Sequence, residues 1–464
     1  MKKGALTVFL ALSLSIFLGF CVWLIEMAIQ NQQRTCFQSI VDVAMDSVLG
    51  EYSLALKERY GLFYVDTSYL GERPSVENLQ RHLKFYVDAN MTGRFQQENA
   101  PWGYLISDDI FILSFETATA MGGGSLRNQA VHYMNLSPGN QNEIAAMEEA
   151  WSCFEKAECG DAMADWSNLM EQIAAMELPQ RKNKEGILEE IPLGNPVDWV
   201  YALSENDILF LCEAQSDIYG TSSYPVQTCL SNRGIQKDEN ADRNFQENHK
   251  LFIAYLFKQF GRYRNYRENS VLQYQLEYLL YGKEGDYDNF HETVETIFQW
   301  KMWNNSSLAL SDGMLYENAL SYASQLQVVQ LKPEFLEPVA KSILYGCAFL
   351  ESVSDVNCLL QEGKVPVQKT SHNMSVSDVI DGIVYMRSGG EGLSYEQYLV
   401  GMLSKQDIGI TTMRAMDIME MDIRHITNNP FFQMDYCVER FCAEISACGA
   451  YQKTYCTRRK YGYY

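Results

Sequence analysis

An uncharged run at the start of the chain constrains its fold more than any other feature. Lys2 and Lys3 precede 21 residues, 5–25, that carry no charge and end in the bulky group Val22, Trp23 and Leu24. As a helix rising 1.5 Å per residue, such a run spans about 30 Å, the thickness of a bilayer's hydrocarbon core. A secretory signal has a shorter apolar region of ~7–15 residues and a small-residue cleavage site. The run therefore reads as a non-cleaved signal anchor. The basic flank places residues 1–4 in the cytoplasm and everything after Glu26 outside the cell.

Helical character does not end at the membrane boundary. Between Glu26 and Arg59 there is no proline, and Gly50 is the one glycine. Phe37, Val41, Ala44, Val48, Tyr52 and Ala55 recur at steps of four and three, which is one helical stripe. Gly61 follows as a C-terminal cap. The pattern predicts a continuous stalk helix over 26–61, with a rise of about 80 Å together with the membrane span. The stripe packs either on the chain's own domain or on neighbouring subunits.

The rest predicts an α+β fold, mostly α: a region with a small β-sheet at 62–247 and a helical region at 248–464. An extended stretch follows the stalk at 62–66, then a helix at 76–89. The clearest strand is 109–119, where Phe111, Leu113 and Phe115 alternate with Ile112, Ser114 and Glu116. Gly122, Gly123 and Gly124 then form a βα turn, without the spacing or Gly-Lys ending of a phosphate-binding loop. A long helix is expected over 142–176, a second strand at 208–213 and an exposed loop at 220–246. Helices follow at 249–260, 271–281, 287–303, 314–327, 334–360, 395–403, 411–426 and 434–447.

Composition narrows the function classes. A net charge of −22 over 464 residues repels phosphate backbones and argues against nucleic-acid partners. The 12 cysteines include the local pairs Cys153 with Cys159 and Cys212 with Cys229, and the set Cys437, Cys442, Cys448 and Cys456. None has a C-x-x-C spacing. Disulfides and buried thiols both remain open.

No catalytic constellation, cofactor site or metal site is legible. His291-Glu292 opens like a zinc-protease helix, but Glu295 stands where the second histidine belongs. Glu351 and Asp355 lie four apart on one helical face, a geometry shared by acid/base pairs and by structural carboxylates that meet basic partners. In 276–290, a helix ends near Gly282 and Asp286 or Asp288 caps the next. Glu277 faces inward there and pairs with Lys283 or Lys301, a buried ion pair fixing helix register. The C-terminal tyrosines Tyr451, Tyr455, Tyr461, Tyr463 and Tyr464 form either a sticky surface or a tail docked on the domain.

The opening KKGALTVFLALSLSIFLGFCVWLIEMA and the stretch VDVAMDSVLGEYSLALKERYGLFYVD resemble an uncharacterised Gram-positive bacterial family associated with tight-adherence (Tad/Flp-type) pilus loci. LEYLLYGK, AFLESVSDVNCLLQEGKVPVQK and RAMDIMEMDIR are similar to later segments of that family. The resemblance implies a membrane-anchored extracytoplasmic component, loosely TadE/TadG pseudopilin-like, whose partners are the bilayer and proteins of a pilus-like apparatus. A prepilin-type site would cleave after Gly4 and place an acid at the fifth mature position. Phe9 stands there, so processing is not expected. The alternative is a membrane-anchored cell-surface enzyme acting on the envelope. A sensor ectodomain would need a cytoplasmic output domain, for which residues 1–4 leave no room.

Overall fold

The computed structural model describes residues 2–95, 105–136, 141–182, 188–212, 220, 222–234, 248–370, 373–384, 390–449 and 452–463. Six strands occur among them: β1 (Val65–Asp66), β2 (Leu105–Thr117), β3 (Gln180–Lys182), β4 (Leu188–Glu190), β5 (Cys437–Gly449) and β6 (Thr454–Gly462). They belong to two compact units. One comprises Met1–Leu136, Thr228–Asn244 and Ala415–Tyr464; the other comprises Ser137–Gln227 and Phe245–Arg414. Both units are discontinuous in sequence, unlike a division at residue 247.

The first unit is built on helix α1 (Lys2–Gly50). Its N-terminal part is bare: Leu6, Phe9, Leu14, Phe17, Trp23 and Ile25 are all more than half exposed. This helix is long and apolar enough to cross a membrane. Further along, Phe37, Ile40, Val41, Ala44, Met45 and Val48 are buried, and form one core with Leu79, Leu83 and Val87 of helix α3 (Val76–Phe95) and with Phe441, Ala443 and Ile445 of β5. The stripe read from the sequence thus packs on its own unit.

The stalk is not the continuous helix over 26–61 that the sequence predicts. It stops at Gly50 because Tyr52 and Ser53 leave the helix to pair with the chain returning from Gly61: Ser53 N–H donates to Tyr64 C=O at 2.8 Å and Tyr52 bridges Val65. Ser53 then caps a new helix, α2 (Leu54–Tyr60), by accepting from Leu56 N–H. Tyr52 is half-buried outside α1, and Leu56, rather than Ala55, carries the buried face of α2. Gly61 ends α2 in the left-handed region at φ 71. A Cβ there would meet the Tyr133 ring at 2.3 Å.

β5 is the centre of an antiparallel sheet, with β2 on one side and β6 and β1 on the other. Residues 434–447 were expected to be helical. After a 3-10 turn at Met434–Tyr436 the stretch is extended instead, because β2 and β6 satisfy its backbone from both sides, and its alternate residues Phe441, Ala443, Ile445 and Ala447 share the core face. The sheet therefore joins the first half of the chain to its last thirty residues, and is not confined to 62–247. After β2 the chain passes through a left-handed turn at Met121, Gly122 and Gly123 into helix α4, whose full extent is Ala120–Leu136. Arg127 donates to the Gly122 carbonyl at 2.8 Å and closes that turn.

The second unit is helical, with a small β3–β4 hairpin. Its central helix, Leu336–Leu360, is buried along almost its whole length, so its apolar character is that of a core helix. Against it pack Asp286–Ser311, Gly313–Ala323 and Ala162–Ala175. The helix expected over 142–176 is two, Gln141–Glu155 and Ala162–Ala175; Asp161 starts the second by accepting from Ala164 N–H at 2.9 Å. Likewise 208–211 is one turn of helix capped by Asp207, not a strand. Of the expected loop 220–246, residues 221 and 235–246 lie outside the described residues.

Candidate functional site

Two groups of buried polar side chains stand out in the second unit, and both contain residues singled out from the sequence. The first lies between the central helix and Asp286–Ser311. Glu351 and Asp355, one helical turn apart, converge on the Lys369 ammonium, which is 2.6 Å from Glu351 Oε1 and 2.6 Å from Asp355 Oδ1. The Lys369 side chain is only 2% exposed. Asn305 Nδ2 donates to Asp355 Oδ2 at 3.3 Å and to Ser352 Oγ at 3.0 Å. The two carboxylates do meet a cation; which lysine supplies it was not legible.

Lys301 stands beside this group and is held by backbone carbonyls and an aromatic ring. Its Nζ donates to the Pro366 carbonyl and lies 3.5 Å from the Val367 carbonyl and 5.3 Å from the centre of the Tyr398 ring. Burial pushes its pKa down to about 7, against the attraction of Asp355.

The two lysines have one structural result. Segment 366–369 is held at both ends, Pro366 by Lys301 and Lys369 by the carboxylates, and Lys369 N–H also donates to Asn304 Oδ1 at 2.8 Å. Val367 and Gln368 between them form a wall of a cleft of about 190 Å³, lined also by Trp300, Trp303, Asn304, Ser307 and residues 156–158.

The second group surrounds Glu277, which is fully buried. The sequence reading paired it with Lys283 or Lys301, and neither is its partner. Lys283 lies 3.3 Å from Glu292, and Lys301 is engaged as described. Glu277 Oε1 instead accepts from Tyr263 N–H at 3.0 Å and from Tyr395 O–H at 2.9 Å, while Oε2 has no hydrogen-bond partner. Burial pushes its carboxyl up to about 7, opposed by these hydrogen bonds and reinforced by Asp286. Two hydrogen-bond donors, and not a lysine, meet this carboxyl, and the rings of Tyr263 and Tyr395 pack on each other with centroids 5.7 Å apart.

Asp286 does not cap its own helix. It accepts from Gln273 N–H at 2.9 Å and Tyr274 N–H at 3.0 Å, fixing the preceding loop. Asn289 holds the 283–285 turn through Lys283 and Gly285.

Burial pushes the Cys347 and Cys212 thiols up to about 12, away from reactivity. Among the described residues no two cysteines form a disulfide. His291 of the HETVE segment lies 3.3 Å from Asp207, and among the described residues no three His, Cys, Asp or Glu side chains converge as metal ligands.

In the first unit, buried carboxylates line the helix that ends at Thr427. Asp422 Oδ2 accepts from Arg59 and Tyr60, each at 2.8 Å. Glu420 is engaged by Arg233 and Arg424, and Asp417 Oδ1 accepts from Ser231 N–H at 2.9 Å. These are the acids of RAMDIMEMDIR, and they tie 228–234 and α2 to this helix. The C-terminal tyrosines dock on α1: Tyr455 O–H donates to Gln33 Oε1 at 3.1 Å, and Tyr463 O–H to the Leu49 carbonyl. Tyr451 and Tyr464 lie outside the described residues.

A model of a family of unknown function (DUF5702) matches residues 187–449 of the chain. No curated protein and no solved structure matches it.

Proposed function

The chain belongs to that family of unknown function, and we propose that it serves as a non-enzymatic, membrane-anchored component of a Tad/Flp-type pilus or secretion apparatus, as an assembly factor or minor pseudopilin-like subunit. The observation that carries this reading is the division of α1. One unbroken helix is bare and apolar along its first half, and buried against an antiparallel sheet along its second. Such a helix places a folded unit at a fixed distance from the bilayer, or from the apolar helices of other subunits. By the basic pair Lys2 and Lys3, the N-terminus is inside and everything after Glu26 outside the cell. The resemblance of the opening segments to a family of tight-adherence pilus loci points the same way. The partners are then the bilayer and proteins of the apparatus.

Crosslinking in native cells, followed by purification through the full-length chain, tests the role. Crosslinks to a filament subunit or to a membrane-platform protein of such an apparatus are expected. Their absence, together with loss of envelope hydrolysis in a deletion strain, would support the surface-enzyme alternative. Protease added to intact, wall-stripped cells tests placement separately: the chain after Glu26 should be degraded, and full protection would overturn the topology.

A further inference from the structure

The cleft walled by Val367 and Gln368 is a second feature that the anchoring role does not use. Trp300 and Trp303, one turn apart on Asp286–Ser311, are both partly buried and line it. Contacts outside the cleft lining hold both indoles. The Phe154 ring packs on Trp300 with centroids 4.6 Å apart, and the Lys405 ammonium lies 5.6 Å from the Trp300 centroid. Gly160 approaches Trp303 so closely that a Cβ would stand 2.4 Å from its ring. The facing wall is held by two buried ammonium groups. Aromatic surfaces fixed before a ligand arrives lose little entropy on binding it.

We propose that this cleft binds a neutral pyranose ring. The uncharged polar lining side chains are Asn304, Ser307 and Gln368. The Asn304 carbonyl oxygen is engaged by Lys369 N–H and the Ser307 hydroxyl donates to the Trp303 carbonyl at 2.9 Å, so Asn304 offers its amide N–H groups, Ser307 its oxygen lone pair and Gln368 its whole amide to sugar hydroxyls. Lys156 and Glu158 offset each other, so the lining carries no net charge that would select an anion or a cation. A sugar ring has an apolar C–H face, which packs on an indole, and a polar rim, which suits amides and a hydroxyl. A cleft of about 190 Å³ admits one ring-sized group and not an extended peptide. The inference is independent of the pilus role.

Titration of the detergent-solubilised full chain with maltotriose and with tri-N-acetylchitotriose, read by tryptophan fluorescence and calorimetry, tests it. A ligand of this size on an open cleft should bind with a Kd of about 1 mM or tighter. Saturable binding of at least one sugar is expected, weakened at least fivefold by Trp303→Ala and by Gln368→Ala. Gln368 is exposed, so its substitution leaves folding intact and keeps the test valid if Trp303→Ala misfolds. Absence of saturation with both sugars overturns the proposal. So does binding that Gln368→Ala and Trp303→Ala leave unchanged.

Discussion

Asp355 receives the Lys369 ammonium at 2.6 Å in a place almost closed to water. Lys369→Met would leave Glu351 and Asp355 one turn apart with no cation between them. Breaking a buried pair this way costs about 3–5 kcal/mol. Denaturant melts should show that loss, and the double variant Lys369→Met with Asp355→Asn should recover part of it. A single variant as stable as the parent would show that the group is not coupled.

Glu277 and Lys301 predict opposing pH limbs. Glu277 is raised from 4.5 to about 7 in the folded state, so the folded chain binds the extra proton between those values, and stability falls as pH rises through them. Lys301 is lowered from 10.5 to about 7, so the unfolded chain holds the extra proton, and stability rises from pH 7 towards 10.5. Each limb amounts to a few kcal/mol. Glu277→Gln should flatten the acid limb of a melting-temperature profile, and Lys301→Met the alkaline one. Unchanged slopes would contradict the burial described.

The α1 stripe has a sharp control. Val41 is fully buried and Ser39 is exposed. Val41→Asp buries an unpaired carboxylate and should cost about 4 kcal/mol or more, whereas Ser39→Ala should lie within about 0.5 kcal/mol of the parent. Thermal melting and limited proteolysis of the first unit distinguish them.

At Gly61 the backbone and the neighbour act together. Alanine would adopt a left-handed conformation at about 1–2 kcal/mol and press on the Tyr133 ring. Gly61→Ala should therefore destabilise by at least about 2 kcal/mol. If Gly61→Ala melts like the parent, the contact with Tyr133 is not tight.

Some of this was legible in the sequence. Phe37, Val41, Ala44 and Val48 announce their shared face because a helix repeats every 3.6 residues, and the β2 alternation is equally local. β5 misleads because Val438, Phe441, Cys442 and Ile445 also fit a helical spacing; the decision is made by β2 and β6, one of them more than 300 residues away. Lys369 is beyond local reading altogether. A lysine after Val-Pro-Val-Gln looks like any exposed lysine until Glu351 and Asp355 are placed around it. Glu277 was legible as inward-facing from Leu276, but its partners, a backbone N–H of Tyr263 and the hydroxyl of Tyr395, arrive from turns that have no periodicity.

The first unit is assembled from the two ends of the chain, and synthesis delivers those ends far apart in time. Val48 is made roughly 400 residues before Ile445, the β5 residue that shares its core. At about 5–20 residues per second that interval is on the order of 20–80 s. Throughout it, the apolar stripe of α1 has no sheet to lie on. Folding of this unit is thus a closing event, timed by the arrival of the last strands.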